Sequence, residues 1–223
     1  MLKPKQKKFV TEIVFHSPWR RYFFPRYLYN FTPPQLCFLC RCIEDTKHII
    51  GAISEVGCSI GSTTVFLNKH MDAQNIQKEY YALDSFSGFL DEDISFEVAK
   101  RGKTRGQFTA FQINKKKWFD ETMRMNGITR VRSIEADVNQ FDLTTLGPLS
   151  FSLLDVDLYR PMKKTLHELY EVLSPGGIIV VDDCTTANNT CDGSDQAYKE
   201  FTKEKNLPEQ IIHGKLGLIR KLG

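Results

Sequence analysis

The chain has 223 residues, 41% of them hydrophobic and 26% charged, with a formal net charge of +3. It can bury one full α/β core but not a second large domain. So small a positive excess is no argument for nucleic acid or an acidic membrane as partner, and no apolar run approaches the ~20 residues of a membrane span.

Taken in order, residues 1–30 carry seven Lys or Arg against one Glu, or +6, which leaves −3 on the rest. Lys3, Lys5, Lys7 and Lys8 precede no signal-type apolar core, and the six cysteines suit a reduced protein, so a cytoplasmic location is expected. Phe9, Phe15, Trp19, Tyr22, Phe23, Phe24, Tyr27, Tyr29 and Phe31 are spread through the basic arm. The arm is expected to flap over a substrate or to pack on the body or on a second subunit of a homo-oligomer; nucleic acid is the lesser expectation. Thr32-Pro33-Pro34 starts a helix to about Asp45, along which Leu36, Leu39 and Ile43 recur. Cys37, Cys40 and Cys42 lie on it, but no second Cys or His pair follows at zinc-site spacing, so packing is expected of them. The arm and this helix, 1–45, precede a domain over 46–223.

Ala52 to Gly57 reads as a strand opening into Glu55-Val-Gly57-Cys-Ser59-Ile-Gly61-Ser62-Thr63, followed by a helix with Val65, Phe66, Leu67 and Met71 on its apolar side. Strand, glycine loop and helix offer free backbone N–H groups and a small-residue surface for a nucleoside. The next strand, Glu79 to Leu83, ends at Asp84, about 20 residues beyond the loop, where a carboxylate can accept hydrogen bonds from both ribose hydroxyls. Residues 91–113 lack a clean period and hold Arg101, Lys103 and Arg105, which suggests a lid whose cations meet an anionic group on the acceptor. Lys115 to Met125 reads as a helix and Arg130 to Ile134 as a strand, with Asp137 at its end.

Phe151 to Leu154 and Ile178 to Val181 are short apolar strands of the kind buried in a parallel sheet, joined by a helix that Pro161 starts and Pro175-Gly176-Gly177 ends. Acids have no place inside such strands, so Asp155, Asp157, Asp182 and Asp183 emerge at the carboxyl edge, where open α/β sheets bind ligands. One right-handed crossover brings Asp155 beside Asp182 and Asp183, and three convergent acids suggest a hard cation; strand-end capping is the alternative. A polar turn from Thr185 to Cys191, a helix from about Ser194 to Lys205 and a closing hairpin around His213-Gly214-Lys215 complete the chain. His16 and His213 are read as structural.

The glycine loop departs from the dinucleotide pattern GxGxxG and resembles the ExGxGxG loop of class I S-adenosylmethionine-dependent methyltransferases, with Ser59 at the central glycine. With Leu83-Asp84-Ser85-Phe86-Ser87-Gly88-Phe89, Leu154-Asp155-Val156-Asp157-Leu158-Tyr159-Arg160-Pro161, Leu173-Ser174-Pro175-Gly176-Gly177 and Val181-Asp182-Asp183, the stretch from Glu55 to Phe201 looks like the macrocin O-methyltransferase family. Ser87, where that family usually has an acid, and Cys184, where it commonly has an aromatic, are departures.

The resemblance implies a doubly wound, mostly parallel seven-stranded sheet of the Rossmann-like class I methyltransferase kind. It implies S-adenosylmethionine held by Glu55, Gly57, Ser59, Gly61, Ser62, Thr63, Asp84 and Ser85, with Asp137 toward the adenine amino group. It implies Mg²⁺ on Asp155, Asp182 and Asp183, with Asp155 or Asp157 as the base that activates a hydroxyl of a sugar or glycosylated small molecule. Two rival readings are a catechol-type or other phenolic O-methyltransferase and a non-catalytic nucleoside-binding domain.

Overall fold

The computed structural model describes residues 3–23, 27–185, 187 and 189–222. By contact the chain divides into Met1–Asn30 and Phe31–Gly223. The first unit holds α1 (Pro4–Phe15), which buries none of its residues, and α2 (Arg20–Phe23). Phe24 of the aromatic arm lies outside the described residues, as do Thr186 and Asn188 of the expected polar turn.

The second unit begins with α3 (Pro33–Asp45), whose Leu36, Leu39, Cys40, Cys42 and Ile43 are buried and whose start is fixed where Gln35 Oε1 accepts the Thr32 N–H. It packs on α4, and so falls with the sheet domain instead of with the arm. There follow β1 (Ala52–Val56), α4 (Ser62–Ala73), β2 (Tyr80–Asp84), α5 (Asp91–Arg101), α6 (Lys116–Met125), β3 (Val131–Glu135), β4 (Leu149–Leu154), α7 (Tyr159–Val172), β5 (Leu173–Val181), α8 (Asp192–Glu204), β6 (Ile211–Ile212) and β7 (Leu216–Arg220). Among the described residues they build the expected seven-stranded sheet, in the order β3-β2-β1-β4-β5-β7-β6. Strands β1 to β5 pair in parallel, and β7 runs antiparallel to both β5 and β6.

All six residues of β4, Leu-Ser-Phe-Ser-Leu-Leu, are buried. Its serines are satisfied inside the sheet: Ser54 Oγ bonds Ser152 Oγ at 2.7 Å, and Ser150 donates to Ala52 O at 3.1 Å. Met162, Leu166 and Leu169 of α7 meet Tyr198 and Phe201 of α8 in the core over β4 and β5, the arrangement their helical spacing predicts.

Two local readings change. Residues 91–101 are a regular helix, α5, with Asp91, Glu92 and Asp93 in its first turn and Lys100 and Arg101 in its last, the charge order that a helix dipole favours. Its weak apolar period conceals it in the sequence. The Leu173-Ser-Pro-Gly-Gly stretch, which Pro175 bars from α7, is the irregular start of β5: pairing with β4 jumps from Leu149–Leu173 to Phe151–Ile178, and the Gly176 N–H bonds Lys221 O.

Candidate active site

Parallel register brings the loops together. Leu83, Val56, Leu154 and Val181 lie in one row across β2, β1, β4 and β5, so Asp84, Gly57, Asp155 and Asp182 all leave the sheet at the same level. The strand order reverses between β1 and β4, the place where open α/β sheets bind ligands. The loops that leave there are backbone-strained: Ser59, Phe86, Asp157 and Asp183 have φ of 48°, 50°, 62° and 56°. Non-glycine residues at positive φ are uncommon and cluster at functional sites.

On the β1–β2 side the loop is drawn tight. Gly57 has φ +93°, and a Cβ there would lie 1.8 Å from Asp155 O, so only glycine permits the approach. Asp84 is partly buried; its two oxygens accept the Ser59 and Phe86 N–H groups at 2.7 Å each, and burial still raises its pKa against those bonds. Each oxygen keeps a lone pair for a diol. Ser85 Oγ donates to Gly88 O and Asp137 Oδ1 accepts the Asn139 N–H at 2.8 Å, so both side chains shape the turns that carry them.

Glu55 is placed differently from a direct contact. Fully inside the sheet, its Oε2 accepts from Thr64 Oγ1 and Tyr80 Oη at 2.7 Å each, tying β1 to the first turn of α4 and to β2. Burial drives its pKa up to about 7, against the lowering pull of the two hydroxyls. The folded chain therefore binds more protons than the unfolded chain between the ordinary 4.5 and about 7, and its stability falls as pH rises through that window. Glu55→Gln is expected to remove this slope, worth up to ~3 kcal/mol, as read from urea melts on either side of the window; an unchanged slope would relocate the proton.

On the β4–β5 side four carboxylates meet one ammonium. Burial first, then Asp182 and Asp157, push Asp155 well above the carboxylate range. Burial with Asp183 and Asp182 takes Asp157 to about 8, opposed by the Cys191 thiol that donates to it. Burial takes Asp182 to about 6 although Lys215 pulls it down. Lys215 Nζ lies 2.7 Å from Asp182 Oδ2 and 3.6 Å from Asp183 Oδ1, over the Phe31 ring. Burial opposes its charge, but Asp182 and Asp183 raise its pKa overall. Among the described residues Asp182 Oδ1 is buried with no hydrogen-bond partner of normal geometry, though the Asp183 N–H lowers the pKa of the same carboxylate.

The acids converge as the strand ends foretell, but their grouping differs from the triad of Asp155, Asp182 and Asp183. One oxygen each of Asp157 and Asp183 and the Cys191 sulfur lie within 4.8 Å of one another, whereas Asp182 spends one oxygen on Lys215. Lys215 and Cys191 are additions that strand patterning misses. Lys215 arrives from the turn before β7, held where the Cys184 N–H bonds its carbonyl, and only the adjacency of that closing hairpin to β5 hints at it. The lid cations are a correction. Arg101 pairs with Glu97 and Asp192, Lys103 with Asp192, and Arg105 with Asp91, so their charges are already engaged within the protein.

No helix among the described residues is long and apolar enough to cross a membrane. No curated protein matches the chain in sequence. Among solved structures it is similar to the O-methyltransferase NovP, with 18% identity and a TM-score of 0.70 over 85% of this chain and 80% of that one. It is also similar to the calicheamicin methyltransferase CalS11, with 16% identity and a TM-score of 0.68 over 99% and 94%. An apo structure of CalS11 describes that protein as a TDP-rhamnose 3′-O-methyltransferase. The N-methyltransferase NodS from Bradyrhizobium japonicum also shares the fold, with 14% identity and a TM-score of 0.53 over 87% and 100%, so fold alone does not choose the acceptor atom. The family model of Macrocin-O-methyltransferase (TylF) matches residues 35–215, well over half of the chain. With that match joined to the sheet order and the loop geometry, the chain belongs to the macrocin O-methyltransferase family and is an S-adenosylmethionine-dependent O-methyltransferase.

Proposed function

We propose that the enzyme methylates a hydroxyl of a sugar or glycosylated small molecule, with a divalent cation held at the β4–β5 edge. The observation that carries this reading is the crowding of Asp155, Asp157, Asp182 and Asp183, whose mutual repulsion and burial raise three of their pKa values, beside the orphaned Oδ1 of Asp182. An all-oxygen donor set of this kind suits Mg²⁺. Asp183, Asp155 and the one oxygen of Asp182 that Lys215 leaves would hold the ion, with Asp157 beside Asp183 at the rim. Bound there, Mg²⁺ would make an acceptor hydroxyl more acidic and fix its direction.

The chain's own residues supply the rest. The N–H groups of Gly57, Cys58, Ser59 and Gly61 are engaged within the protein, so Ser62 and Thr63 at the start of α4 offer theirs to the cofactor across the small-residue loop, while Asp84 holds its ribose and Asp137 meets its adenine. Glu55 acts from beneath, by bracing the loop through Thr64 and Tyr80. Asp157, buried and raised to about 8, is the better base of the two candidates, because a base works best with a pKa near the operating pH. The sulfonium is already a strong methyl donor, so the protein's main work is to align oxygen, methyl and sulfur. Membership of a family named for a sugar O-methyltransferase and likeness to CalS11 support a sugar acceptor. Six thiols outside disulfides support a reducing, cytoplasmic setting. The basic arm serves as an acceptor flap or as a contact between copies.

A turnover screen with labelled S-adenosylmethionine and Mg²⁺ against nucleotide sugars, glycosides and catechols tests this. Label on a sugar oxygen is the expected product. Label on catechols alone would move the enzyme to the phenolic class.

A further inference from the structure

We propose that Lys103 is a positioning residue for the acid cluster, the buried anchor of a partly buried clamp that holds Cys191 and the start of α8 against Asp157 and Asp183. The proposal rests on the functional reading above and adds residues remote from the reacting groups. Lys103 is buried, and a buried ammonium is retained only where it is fully paired. Its Nζ donates to Asn189 O at 2.5 Å, to Asn189 Oδ1 at 2.9 Å and to Asp192 Oδ2 at 2.8 Å. All three acceptors flank Cys191. The other Asp192 oxygen takes Arg101 at 2.7 Å, and Arg101 Nε lies 2.7 Å from Glu97 Oε2. Glu97, also buried, accepts the Tyr159 N–H on its second oxygen at 2.9 Å. A continuous chain of charge-assisted bonds thus ties the start of α7, two residues after Asp157, to the start of α8, one residue after Cys191. Ser194 Oγ closes the circuit by donating to Asp157 O at 3.2 Å. Arg105 is different: its partners, exposed Asp91 and half-buried Ser95, both belong to α5, so it braces only its own segment.

The last turns of α5, with Lys103 tied to them where its N–H bonds Glu97 O at 3.3 Å, therefore set the distance between the two acid-bearing loops. Lys103→Met keeps the hydrocarbon stem and removes all three donors; Lys103→Arg keeps the charge. Both are made in a Cys37→Ser background of the full chain, so that Cys191 is the accessible thiol that remains. Three quantities are read: the rate of Cys191 modification by a charged thiol reagent, Mn²⁺ affinity by electron paramagnetic resonance, and S-adenosylmethionine affinity by calorimetry. Lys103→Met is expected to speed Cys191 modification and weaken Mn²⁺ each by about tenfold or more, the usual cost of losing an outer-shell support. Cofactor affinity should stay unchanged, and Lys103→Arg should restore most of both losses. A folded Lys103→Met protein with the wild-type Cys191 rate overturns the clamp, and so does a faster Cys191 with unchanged Mn²⁺ affinity. If the wild type binds no Mn²⁺, the metal reading falls, and the clamp stands or falls on the Cys191 rate alone. If Lys103→Met does not fold, Asp192→Asn carries the same test, since it removes the charge that Lys103 and Arg101 share.

Discussion

Asp157→Asn is expected to lower turnover by about a hundred- to ten-thousandfold, the range assigned to a positioned general base, while cofactor affinity stays put. Its second effect runs the other way. Asp157 is buried among carboxylates that hold its pKa near 8. An ionised group there destabilises the metal-free fold as pH rises from the carboxylate range toward 8, because the folded chain keeps a proton that the unfolded chain has lost. The amide removes that cost without changing size. The variant should therefore melt higher than wild type at about pH 8 in the absence of metal, and lose the difference at about pH 4. A slow enzyme that is also more stable marks a functional residue held against its own preference. If the variant keeps full turnover, the base role passes to Asp155.

Gly57→Ala should act on both halves of the site at once. The added Cβ would fall 1.8 Å from Asp155 O at φ +93°, so either the cofactor loop or the end of β4 must move. We expect a loss of several kcal/mol in urea melts, the scale of a backbone clash added to left-handed strain, with loss of S-adenosylmethionine binding. Gly214→Ala is the control: its φ is +81°, but nothing lies within 4 Å of its Cβ. It should cost only the conformational strain, roughly 1–2 kcal/mol. Equal effects at the two positions would mean that the contact with Asp155 is not what requires glycine.

Much of this edge is legible in the sequence, because a buried parallel strand is a short apolar run and the first acid after it has nowhere to go but the carboxyl end. Asp84, Asp155 and Asp182 are thereby expected at strand ends on the carboxyl edge, and the observed register adds that they leave in one row. What escapes is what depends on side chains from distant segments. Lys215 reaches Asp182 from 33 residues away by way of an antiparallel hairpin. Arg101 and Lys103 look like unspent cations until Asp192 is seen beside them, 91 and 89 residues further on. Glu55 fits its motif position in the sequence, yet its partners Thr64 and Tyr80 are set by how α4 and β2 pack on β1.

If one sheet edge carries two separable sites, a cofactor site ending in Asp84 and a cation site around Asp183, each ligand can be lost without the other. Calorimetric titration of S-adenosylmethionine and of Mn²⁺ into the wild type, Asp84→Ala and Asp183→Asn tests it most directly. Asp84→Ala is expected to lose cofactor affinity and keep Mn²⁺, and Asp183→Asn to lose Mn²⁺ and keep the cofactor. Loss of both ligands in either folded variant, or of neither, would contradict it.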